Sequence, residues 1–118
     1  MVRRLERVNV LLREAISEIV PRELSDPRMT SLVSVTEVDC SADLRRAKVY
    51  VSVLGSKEDK ISNLEALRSA SGFVHHRLKS TVTLRSVPQL DFRIDESLEF
   101  GADILDKIKH SVSTRPLD

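Results

Sequence analysis

The residues best suited to chemistry form a run of cations, His75, His76, Arg77, Lys79 and Arg85, that follows Gly72, whereas Glu58, Asp59 and Glu65 precede it. Such a row suits a polyanion. A guanidinium is planar and can donate two hydrogen bonds to one phosphate, so Arg77 and Arg85 are the expected clamps. His76 adds a neutral donor or a partial charge, according to pH. Arg3, Arg4 and Arg7 form a basic arm at the N-terminus, and Arg45, Arg46 and Lys48 stand at an expected hairpin and strand edge. Each group also has a plainer reading: a solvated helix face, a frayed terminus, or an edge strand protected from aggregation by lysine.

Other chemistries fit less well. His75 and His76 with Cys40 could suggest a metal or a nucleophile with its base, but adjacent helical residues point about 100° apart and seldom hold one ion. The acids Asp91, Asp95, Glu96, Glu99, Asp103 and Asp106 lack calcium-loop spacing and read as a solvated surface that keeps the far side off a polyanion. Phosphate-loop, dinucleotide-loop and Ser-His-Asp patterns are absent. The expectation is no catalytic residue, no metal and no cofactor.

The cationic row needs a helix to carry it. Ile61, Leu64, Leu67, Ser71, Val74 and Leu78 recur at spacings of three and four, so one apolar stripe spans the stretch Asp59–Arg85. Ala70-Ser71-Gly72 interrupts it, and Gly72 is expected to permit a bend between two helical segments. Ser56-x-x-Asp59 predicts a capping box at the start. Upstream, Leu5, Val8, Leu11, Leu12, Ala15, Ile16 and Ile19 predict a helix ending near Val20, before Pro21. Asp26-Pro27-Arg28 predicts a turn in which Asp26 accepts from a local backbone N–H.

Leu32–Cys40 reads as a strand whose apolar phase shifts between Val35 and Val38, through a bulge or burial of both faces. Ala47, Val49, Val51 and Val53 alternate with Lys48, Tyr50 and Ser52 as a second strand, paired with the first in a hairpin. Leu90, Phe92 and Ile94 predict a third strand after Pro88, and Ser97 could cap a short last helix. The fold class is therefore α+β, with order α-β-β-α-bend-α-β and helices on one face of a three-stranded sheet. Residues 1–112 form one expected domain, with 113–118 a tail.

Composition narrows the partners. The net charge is only +1, so attraction to nucleic acid must come from local clustering. One cysteine excludes an intramolecular disulfide and fits a reducing cytoplasm. No apolar run approaches the ~20 residues of a membrane span. Aromatic residues are 3% of the chain, and most occupy apolar phases, so few rings are free to stack on single-stranded bases. Recognition of folded RNA by shape and phosphate is the better expectation.

These residues resemble ribosome-binding factor A, a bacterial assembly factor for the small ribosomal subunit. The resemblance rests on Leu24-Ser25-Asp26-Pro27-Arg28, Val33–Val38, Asp43–Val53, Ala70-Ser71-Gly72-Phe73-Val74 and Leu84-Arg85 through Phe92, in order over most of the chain. It implies a type II KH-like fold with Ala70-Ser71-Gly72 as the Ala-x-Gly bend in place of Gly-x-x-Gly. The glycines are Gly55, Gly72 and Gly101, so no Gly-x-x-Gly exists here. It further implies a non-enzymatic factor that binds 16S rRNA in the immature 30S subunit and assists late processing; a cytoplasmic monomer is the default expectation. The rival expectation is a protein-interaction adaptor using an apolar groove beside the bent helix, and a metal-dependent nuclease comes third.

Overall fold

The computed structural model describes residues 2–29 and 32–96, the side chains of Val2 and Arg3 excepted. The last helix expected from Ser97, the acids Glu99, Asp103 and Asp106, and the 112/113 boundary lie outside those residues.

Helix α1 spans Val2–Glu23 and buries Val8, Leu12, Ala15, Ile16, Ile19 and Val20. The expected end near Val20 is corrected: Pro21 stands inside the helix. In the last turn its missing N–H costs a single hydrogen bond, which the buried face upstream outweighs. Strand β1 (Val33–Cys40) and strand β2 (Arg46–Val53) pair antiparallel, with a register shift between Val35 and Glu37. The bulge aims Thr36 so that its hydroxyl donates to Asp95 Oδ2 at 2.6 Å. In the hairpin turn, Leu44 takes a left-handed φ of 60°. The Asp43 carboxylate accepts from the Ser41 hydroxyl at 2.7 Å and the Arg45 amide at 3.0 Å, which lowers its pKa.

Helix α2 (Lys57–Ser69) begins with the expected capping box: Asp59 N–H donates to Ser56 Oγ at 3.1 Å and Ser56 N–H to Asp59 Oδ2 at 2.9 Å. Gly55 precedes it at φ +147°, and a Cβ there would lie 2.5 Å from Asp59 Oδ2. Helix α3 (Ser71–Thr81) follows at a break carried by Ala70, at φ −90° and ψ 0°. The break thus falls within the expected Ala70-Ser71-Gly72 bend, at its first residue, and Gly72 lies in the first turn of α3 without a positive φ. The shared stripe holds at Leu67, Val74 and Leu78, all fully buried, but Ile61 is 54% exposed.

Strand β3 (Gln89–Ile94) runs parallel to β2, so the sheet order is β1-β2-β3. Phe92, Leu12, Ile16, Leu67, Leu78, Val49 and Val51 form the centre of the core. α1 packs on β1, and α2 and α3 pack on β3, leaving the other sheet face open with Arg46, Lys48, Asp39 and Arg93 exposed. The element order α-β-β-α-α-β is that of a type II KH-like fold.

Candidate nucleic-acid interface

α3 carries the expected cations, but the helix divides them. Val74 and Leu78 turn inward, which sends His76 and Lys79 to solvent. His75 turns back instead, its Nε2 lying 3.0 Å from the Val87 carbonyl oxygen, so it fastens the loop after α3 rather than facing a partner. Arg77 is also engaged: its Nε and Nη2 bond both carboxylate oxygens of Glu23, and its Nη1 donates to Ser80 Oγ at 3.3 Å. Hydrogen bonding to Glu23 raises the Arg77 pKa and keeps the cation paired. The expected phosphate clamp Arg77 is thus engaged in this structure: its Nε and Nη2 hold a carboxylate of α1.

Arg85 is exposed but not helical, because α3 ends at Thr81. Among the described residues, the side chains of His76, Lys79 and Arg85 make no hydrogen bond or ion pair. Arg85 precedes Gln89 by four residues, a reach of at most about 14 Å. The Gln89 amide donates to the Arg45 carbonyl at 2.9 Å, and the Cys40 amide donates to Asn9 Oδ1 at 2.8 Å. These bonds draw the start of β3, the hairpin turn and the first half of α1 to one end of the sheet. Arg45 and Arg46 stand at that end with Arg85 within reach of it, while Arg7 and Arg4 lie on α1, over the sheet face opposite the one that Arg46 occupies. All five are exposed. Arg45 keeps a loose, exposed pairing with Asp43 at 4.0 Å. For Arg3 only its helical backbone is described.

Lys48 does not join this set. β2 is the central strand, which corrects its expected edge position, and in register Lys48 lies between Asp39 and Asp91. Its charge is flanked by acids on both sides, and the open face is mixed rather than basic. Arg28 is likewise held, donating from Nη2 to Asp26 at 2.6 Å while its amide donates to Asp26 Oδ1 at 2.8 Å, as the turn reading expects.

The groove expected beside the bent helix exists as a cleft of about 780 Å³, but Glu37, Arg68, Asp91, Arg93, Asp95 and Glu96 outnumber Tyr50, Leu64 and Ile94 in its lining. It is not an apolar slot for a peptide or helix. No group of three or more potential metal ligands occurs among the described residues, and Cys40 is buried, with its thiol pKa raised by desolvation. No described helix is long and apolar enough to cross a membrane.

The sequence reading missed two residues. Glu23, which captures Arg77, lies 54 positions away, and nothing local marks the pair. Phe73 is 44% exposed, although aromatic rings were expected to be mostly inward. A signal for Phe73 did exist: it falls off the stripe that includes Leu67, Val74 and Leu78.

Known proteins resemble this chain over most of its length. The family model for ribosome-binding factor A matches residues 4–108. A ribosome-binding factor A from Acetivibrio thermocellus is 48% identical over 101 residues, covering 86% of this chain and 82% of that protein. One from Dictyoglomus thermophilum is 47% identical over 109 residues, covering 92% and 91%. The crystal structure of ribosome-binding factor A from Thermus thermophilus superposes with a TM-score of 0.67 at 29% identity, covering 76% of this chain and 93% of that one. A homology model of the Thermus thermophilus factor, fitted into a cryo-EM map of its 30S complex, gives a TM-score of 0.61 at 30% identity, covering 75% and 91%.

Proposed function

This chain belongs to the ribosome-binding factor A family, and from that premise we propose that it binds 16S rRNA in the immature 30S subunit and assists its late processing. The observation that carries the reading is the family match over residues 4–108. A related factor fitted into a map of a 30S complex supports the small subunit as the partner. Lys79 and Arg85, unpaired among the described residues, with His76 as a hydrogen-bond donor and with Arg4, Arg7, Arg45 and Arg46, supply phosphate contacts without a catalytic step. Residues 1–112 act as one KH-like unit.

Such a factor needs only differential affinity: it must hold the immature arrangement more tightly than the mature one, and so favour it until maturation removes its site. Sedimentation with isolated immature and mature small subunits tests this. Tighter binding to immature subunits is expected, and equal affinity for the two overturns the proposal. The adaptor reading gains nothing from a cleft lined mainly by charge.

A further inference from the structure

α3 leaves one aromatic ring in solvent with His76 and Lys79 at the next steps of three along the helix, and we propose that Phe73 is a stacking platform for one unpaired RNA base, with Lys79 and His76 holding the adjoining phosphate. The inference rests on the RNA-binding reading and deepens it by naming a contact. Of the described aromatic residues, Phe92 is fully buried and Tyr50 half-buried, whereas Phe73 is 44% exposed. A single exposed apolar side chain is ordinary on a soluble protein. The surroundings of Phe73 are what distinguish it.

His76 and Lys79 follow at successive steps of three along the helix, where side chains are neighbours. α3 contains no acidic residue. A nucleotide presents a flat base beside an anionic phosphate, and this edge of α3 presents a flat ring followed by a histidine and a lysine. An apolar partner would find no apolar neighbour of Phe73 one turn on, only His76 and Arg77. Stacking tolerates every base, so the contact stays blind to base identity and adds to phosphate recognition rather than replacing it.

The chain contains no tryptophan, so Phe73→Trp introduces a sole indole reporter. The probe is isolated immature small ribosomal subunits, with unsubstituted chain, Phe73→Leu and Phe73→Trp compared, each checked for fold by circular dichroism. Phe73→Leu keeps an apolar side chain but removes the π-face; its binding should weaken on the order of tenfold with an unchanged salt slope. Phe73→Trp should retain affinity, and its emission should be quenched on binding. Undiminished binding by Phe73→Leu overturns the inference and leaves the RNA-binding reading standing. Indole emission that rises and shifts to the blue also overturns it, because the ring would then enter a protein pocket. Failure of the unsubstituted chain to bind defeats the RNA-binding reading itself, and this inference with it.

Discussion

Arg77 of α3 and Glu23 of α1, 54 residues apart in the chain, form a two-bond ion pair in which Nε donates to Oε1 at 2.5 Å and Nη2 to Oε2 at 3.3 Å. The pair joins the end of the first helix to the middle of the third. It engages one of the two arginines of the cationic row whose chemistry best suits a phosphate. What remains outward is less obvious from side-chain type: a lysine, a histidine and a loop arginine.

Arg77→Ala should therefore act on the fold more than on binding. Both partners are partly exposed, with side-chain accessibilities of 41% and 30%, so solvent screening keeps the loss small. Denaturant unfolding at low and high salt checks this, with the deficit shrinking as salt rises. The salt slope of subunit binding should not change.

Gly72→Ala should stabilise the protein by about 0.5–1 kcal/mol. Gly72 is helical, lacks a positive φ and has open space where a Cβ would go, so alanine reduces unfolded-chain entropy without a clash. Thermal unfolding should show a rise of a few degrees. A fall would restore Gly72 as the hinge.

Gly55→Ala should do the reverse. Its φ of +147° disfavours any side chain, and the new Cβ would lie 2.5 Å from the Asp59 carboxylate that closes the capping box of α2. Loss of such a cap costs about 1 kcal/mol, and backbone strain adds to it. Unfolding of Gly55→Ala compared with Asp59→Ala checks whether the glycine acts through the cap.

Asp26 should titrate far below an ordinary carboxyl. Hydrogen bonds from the Arg28 side chain, and then from its amide, lower its pKa to about 2. A depressed folded value means the contribution is fully present above the unfolded pKa near ~4 and is lost as pH falls through about 2. Carboxyl NMR should place the midpoint near 2, and Arg28→Ala should move it upward.

Much of the fold was legible because its signals are local. Val49, Val51 and Val53 alternate with polar residues at the period of a strand, and Ser56 with Asp59 marks a helix start within four residues. The β1 bulge was visible as a phase shift between Val35 and Val38. What escaped depends on long-range placement. Lys48 looks like an edge residue until β3 pairs with β2, and Arg77 looks free until α1 brings Glu23 to it. Pro21 looks like a stop, but proline in a final turn forfeits little when the turns before it are well buried. The bend was expected over Ala70-Ser71-Gly72, and within that stretch it is Ala70, not the glycine, that adopts the break.

The central claim is that the outer edge of α3 and the loop after it bear the RNA phosphates. It is tested most directly by a salt series of binding to immature small subunits, comparing unsubstituted chain with Lys79→Ala/Arg85→Ala and with Arg77→Ala. Loss of two phosphate contacts should flatten the log–log slope of the double variant by about 1.4–1.8 units, while Arg77→Ala leaves it unchanged. An unchanged slope in the double variant, with a flattened one in Arg77→Ala, would contradict the account.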